Sequence, residues 1–137
     1  MIKWAGWLMV LFGAAHTLGA LTVEKAASHA GAWFSGALWR DDLAAMSQAN
    51  SAFWLSVYSF GVPLVVVGLM VLWLDRNGIT PPRFIAWVLG IWTVVGAAVL
   101  VITPWPILLA ANVLLLLGIR RATRPAPGAG SVSPATK

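Results

Sequence analysis

Apolar residues run without a charged side chain through 4–23, 51–74, 84–102 and 105–119, and polar residues gather in the connectors between them. This pattern predicts four membrane-crossing helices. At 1.5 Å per residue the first covers about 30 Å, the thickness of a hydrocarbon core. The fourth covers only about 21 Å, so snorkelling Arg120 and Arg121 or local thinning must make up the shortfall. Asp75-Arg76-Asn77-Gly78 stops the second run, and Pro81-Pro82 precedes the third. Thr103-Pro104-Trp105-Pro106 reads as a tight turn, with Pro106 in the first turn of the fourth helix, where a missing N–H is harmless.

An even number of crossings puts both termini and the 75–83 connector on one side. That side carries Lys3, Arg76, Arg83, Arg120, Arg121, Arg124 and Lys137, against Lys25 and Arg40 on the other. Basic residues favour the cytoplasmic face, so both termini are expected there, in a multi-pass protein of the cell membrane. The first run follows a basic region of Lys3 alone, is long for a cleaved leader and is interrupted by His16, so it is read as a retained helix, with the small residues Gly19 and Ala20 leaving a cleaved leader as the alternative.

Composition agrees. Sixty percent of the 137 residues are hydrophobic and 9% are charged, with a mean hydropathy of +0.85. Lipid must be the solvent for most of such a chain. One domain is expected over 1–121. Residues 122–137 are rich in Pro, Gly, Ala, Ser and Thr and read as a disordered cytoplasmic tail. The net charge of +5 suits anionic lipid beside the helix ends better than nucleic acid. Without cysteine there is no disulfide, thiolate ligand or cysteine nucleophile. Most of the nine tryptophans fall near predicted interfaces, Trp4, Trp7, Trp73 and Trp87 inside and Trp33, Trp39, Trp54 and Trp105 outside, with Trp92 near mid-membrane.

Helices in lipid associate through small residues. Gly6, Gly13 and Ala20 share one face of the first run, Gly61 and Gly68 one face of the second, and Ala86, Gly90, Thr93 and Ala97 one stripe of the third. Pro63 removes a backbone donor and predicts a kink in the second. The expected architecture is an all-α, integral membrane four-helix bundle with up-down topology and an interfacial segment between helices 1 and 2.

Depth counted from the outer ends points to a polar layer. His16, Tyr58, Asn112 and Thr93 each fall roughly 10–14 Å below the outer interface, one from each helix, with Ser51, Ser56 and Ser59 adding hydroxyls and Asn50 near the entrance. A titratable side chain within a span is a functional candidate because lipid exposure is costly. His16 between Tyr58 and Asn112 suits a general acid or base, a proton relay or an axial haem ligand. It equally suits a structural clasp, with hydroxyls bonding their own helix carbonyls. The connector 24–50 is long for a bundle. Its His29, Trp33, Phe34 and Trp39 read as a lid over the layer, or as a segment lying in the headgroups.

The stretch His29-Ala30-Gly31-Ala32-Trp33-Phe34-Ser35-Gly36-Ala37-Leu38-Trp39 and the run Phe53-Trp54-Leu55-Ser56-Val57-Tyr58-Ser59-Phe60-Gly61-Val62-Pro63-Leu64 carry a family likeness. Together with His16 they resemble a domain-of-unknown-function family of small bacterial four-helix membrane proteins, over residues 1 to about 121. The architecture is also loosely similar to DoxX-type proteins. The resemblance implies topology and no activity.

Three roles remain open on sequence. The chain binds or transforms a lipophilic small molecule in an outer-facing pocket around His16, or it is an accessory or assembly subunit with no pocket. The third is a small transporter, disfavoured because Glu24, Asp41, Asp42 and Asp75 all lie outside the runs. Whether it is an enzyme stays undecided. No metal site and no cofactor are expected, since two distant histidines give too few ligands. The expected partners are the lipid bilayer, a lipophilic molecule, and another copy or a membrane subunit, with no nucleic acid.

Overall fold

A run of 20 residues with neither proline nor charge has nothing to interrupt its backbone ladder. In the computed structural model it forms the helix Ile2–Thr22 (α1). The structure describes residues 1–42, 44–100 and 105–124. Among these the chain is all α, with no strand. The expected turn at 103–104 and the tail from residue 125 lie outside the described residues, whereas Ala122, placed in the tail by sequence, ends the last helix.

The chain leaves α1 at Lys25, which takes left-handed backbone angles (φ 58°). A 3-10 turn, Ala26–His29, leads into the short helix Ala30–Phe34 (α2). Gly36, at φ +79°, opens a second 3-10 turn, Ala37–Arg40. The next helix is Gln48–Leu55 (α3). Ser47 caps it, its Oγ accepting from the Asn50 N–H at 3.2 Å. Then come Gly61–Arg76 (α4), Arg83–Val99 (α5) and Trp105–Ala122 (α6). The stop after α4 is as the sequence predicts, with Gly78 at φ +69°.

The run 51–74 differs from the single helix expected of it. Residues 56–60 leave the helix, so α3 and α4 are separate. Ser56 Oγ donates to the Ala52 carbonyl at 2.5 Å and Ser59 Oγ to the Ser56 carbonyl at 3.0 Å. Hydroxyls that serve nearby carbonyls satisfy the backbone without a continuous ladder. Pro63 then falls in the first turn of α4, where its missing N–H has no intrahelical acceptor to lose. It starts a helix; it does not bend one.

Helix α1 packs against α4 on one side and α6 on the other, and α5 packs on α6. Neighbours run antiparallel. Gly6 meets Gly68 and Gly13 meets Gly61 across α1 and α4, each glycine within van der Waals reach of the opposing carbonyl. On the other flank Gly118 abuts Ile2, and Trp105 lies beside Phe12 with ring centroids 6.4 Å apart. Met9, Leu64, Val71, Leu108 and Leu115 fill the core between them. Between α4 and α5 the wall is open: a groove of about 450 Å³ runs past Met70, Ile85 and Val88, and one of about 170 Å³ past Pro63 and Trp92. Among the described residues two helices, α1 and α6, are long and apolar enough to cross a membrane, and α5 is apolar but shorter.

Candidate functional site

The Gly13–Gly61 approach draws the break before α4 against α1, one turn from His16. His16 Nε2 lies 2.9 Å from Ser59 Oγ. The hydroxyl proton of Ser59 serves the Ser56 carbonyl, so Ser59 Oγ accepts here and His16 Nε2 donates. That tautomer leaves Nδ1 as a hydrogen-bond acceptor. The imidazole stacks on Phe60, with centroids 4.1 Å apart and planes at 28°. Phe60 in turn meets Phe12, Trp92 and Trp105.

An apolar groove of about 610 Å³ opens beside this cluster. Leu8, Leu11, Phe12, Ala15 and His16 of α1 form one wall; Phe60, Leu100, Trp105 and Ile107 complete it. The register of α6 creates it. With Ile2 at Gly118 and Phe12 at Trp105, α6 begins level with the middle of α1. The C-terminal turns of α1 therefore extend past the start of α6, and His16 sits at that step.

The five residues of the expected polar layer form two groups and one outlier. His16 and Ser59 are together. Thr93 and Asn112 make a second pair, buried between α5 and α6, with Asn112 Nδ2 donating to Thr93 Oγ1 at 3.1 Å and to the Leu108 carbonyl at 3.0 Å. Thr93 Oγ1 donates to the Leu89 carbonyl at 2.6 Å. Given the register, this pair lies roughly 12–16 Å from His16 along α1, toward its N-terminal end. The depth count took every outer helix end as level, and α6 starts deeper. Tyr58 is exposed and packs edge-on to Trp54 at 4.6 Å, away from His16.

Of the lid candidates, Trp33 packs beside α3. Trp33 Nε1 donates to the Ala49 carbonyl at 2.9 Å and its ring meets Phe53 at 5.7 Å. Phe34 and Trp39 are 88% and 90% exposed, and His29 is half-buried in the 3-10 turn. Among the described residues, none from 24–50 lines the groove beside His16. That segment instead borders a smaller cavity of about 280 Å³ with Ala20 and Ser51. Asn50, expected near an entrance, is buried on its own cap.

Phe12, Phe60 and Trp105 are the site residues that sequence reasoning missed. Trp105 was expected at the outer interface, yet it is only 8% exposed and wedged against Gly96 and Trp92. The available signal was Gly96, small enough to receive an indole on the facing helix. Among the described residues, no group of three or more His, Asp or Glu side chains lies close enough to hold a metal ion.

A family model matches residues 1–122, and the chain belongs to that family, a family of unknown function (DUF6463). No curated protein and no solved structure matches it.

Proposed function

We propose that this member of an uncharacterised family is a multi-pass protein of the cell membrane that holds a lipophilic small molecule in the groove beside His16. Its spanning units are α1, the broken α3–α4, α5 and α6, arranged up and down. The observation that carries this reading is a groove whose apolar walls run into an apolar exterior, with one imidazole at the edge. Leu18, Val66, Leu69, Phe84, Val88 and Val94 all face outward and are more than half exposed. A surface of that extent is unfavourable in water, whereas lipid covers it without penalty. A solute dissolved in the bilayer would enter sideways, and a groove of this volume suits a small ligand.

Both termini are assigned to the cytoplasmic side on the basic residues that gather there. The Arg83 guanidinium donates to Thr123 Oγ1 at 3.0 Å, which keeps the start of α5 and the end of α6 at one level. The absence of cysteine makes the assignment easy to test. In sealed right-side-out vesicles, an impermeant maleimide labels Ser28→Cys at once and Asn77→Cys only after permeabilisation. Labelling of both without permeabilisation overturns the topology. For the groove, native mass spectrometry from mild detergent finds an apolar adduct that Ala15→Trp excludes; an adduct that persists in Ala15→Trp overturns the site.

A further inference from the structure

Resting on the groove reading above, we infer that its occupant is a flat aromatic ring carrying a hydroxyl group, which donates a hydrogen bond to His16 Nδ1. The imidazole turns one edge toward α4: a Cβ on Gly61 would lie 3.2 Å from His16 Cδ2, and Nε2 lies 2.9 Å from Ser59 Oγ. Nδ1 and Cε1 form the opposite edge of the five-membered ring, and His16 lines the groove. Because Ser59 Oγ accepts from Nε2, Nδ1 presents a lone pair. Among the described residues nothing donates to it. The buried side-chain atoms there without a partner are Thr17 Oγ1, Trp105 Nε1 and Asn112 Oδ1. Nδ1 is not one of them and is therefore accessible, on a residue that is half-buried. Among the described residues lining the groove, Trp105 Nε1 is buried and His16 Nε2 is engaged, which leaves Nδ1 as the polar side-chain atom an occupant can reach.

Two features narrow the class. A lone pair is satisfied only by a donor, so a ketone, ester or ether would set its own oxygen lone pairs against Nδ1. Hydrocarbon supplies no donor either, and an acceptor left unpaired there is costly. The lining also contains four aromatic rings, those of Phe12, His16, Phe60 and Trp105, and such rings gain from offset stacking on another flat system. An aromatic alcohol meets both conditions. An aliphatic alcohol meets only the first, and a bare aromatic hydrocarbon only the second.

The probes are 2-naphthol and 2-methoxynaphthalene, matched in ring and oxygen and differing in the O–H. Both are titrated by equilibrium dialysis against the full chain in lipid nanodiscs, each scaled to its own uptake by empty nanodiscs. His16→Phe keeps a ring on Phe60 and deletes the acceptor. The ratio of 2-naphthol to 2-methoxynaphthalene affinity is expected to fall about five-fold in this variant, the size of one net neutral hydrogen bond. The ether binds as before, which also shows that the variant is folded. A second readout keeps the imidazole. The chain has two histidines, so in His29→Gln an isotopic nitrogen label on histidine reports His16 alone. By NMR the Nδ1 resonance moves when 2-naphthol is added and stays when the ether is added. A resonance that saturating 2-naphthol leaves in place, or a ratio that His16→Phe leaves unchanged, overturns the hydroxyl assignment and leaves the groove standing. If His16→Phe loses both probes, the Nδ1 resonance decides alone. Binding of neither probe above empty nanodiscs, or binding of both that survives Ala15→Trp, overturns the groove reading itself.

Discussion

Gly13 and Gly61 meet backbone to backbone: a Cβ built on Gly13 would lie 2.5 Å from the Gly61 carbonyl oxygen. The same contact recurs one heptad away, where a Cβ on Gly68 would lie 2.8 Å from the Gly6 carbonyl oxygen. Both clashes are with backbone, so a rotamer change gives no relief. This pair of contacts fixes α4 on α1 and brings Ser59 within reach of His16.

Gly13→Ala is therefore expected to separate α1 from α4 and to cost about 1–3 kcal/mol, the usual range for over-packing. Gly90→Ala and Gly19→Ala are the controls, since a Cβ at either meets nothing within 4 Å. They should fall within about 0.5 kcal/mol of wild type. Thermal unfolding in a fixed detergent checks all three.

Replacing His16 by Phe keeps a flat ring on Phe60 and removes the bond to Ser59. We expect stability to change by no more than about 1–1.5 kcal/mol, while the apolar adduct seen by mass spectrometry is lost. A large loss of stability with the adduct retained would make His16 a clasp instead. Measuring both quantities on one preparation separates the two roles.

The Thr93–Asn112 pair is buried between α5 and α6, and neither residue lines the groove beside His16. Thr93→Val and Asn112→Ala should show a coupling of about 0.6 kcal/mol in a double-mutant cycle, the average for such bonds in membranes. Neither substitution should alter labelling or ligand retention at the groove. A coupling near zero would show that Asn112 is held by the Leu108 carbonyl alone.

Acid should loosen the connector between α1 and α3. The Ser47 hydroxyl and N–H both donate to Asp41 Oδ2, at 2.7 and 3.1 Å, and the hydroxyl bond is the chief cause holding the Asp41 carboxyl below the usual carboxylate range. A depressed pKa in the folded state means the tether is fully present at neutral pH. It is lost as pH falls through that lowered value. The protection of the Ser47 amide against hydrogen exchange, taken relative to the intrinsic rate at each pH, should therefore hold from neutral pH down and be lost only in strong acid. Ser47→Ala removes the hydroxyl donor and the α3 cap together, and should return Asp41 toward the ordinary range.

Much of the helix layout was legible because charge, glycine and proline punctuate it directly. Asp75 to Gly78 marks the end of α4 and Pro81-Pro82 the start of α5. The small residues of α1 and α4 also gave their contact face, since glycine spacing on a helix translates into a line in space. Two things were not legible. Ser56 and Ser59 each look harmless in a helix, and only their joint use of nearby carbonyls opens the break before Gly61. The level of one helix against another depends on packing such as Ile2 on Gly118, which no single run of residues encodes. That is why His16 and Asn112, matched by counting along their own helices, lie far apart.

The missing wall between α4 and α5 has its own consequence. With α5 packed along α6 and a trough facing α4, the membrane placement proposed above would have acyl chains occupy the space that protein leaves vacant. Those chains then act as packing elements of the molecule. Their length and degree of unsaturation become determinants of where the α5–α6 hairpin rests, in the way that a core side chain would be in a soluble domain.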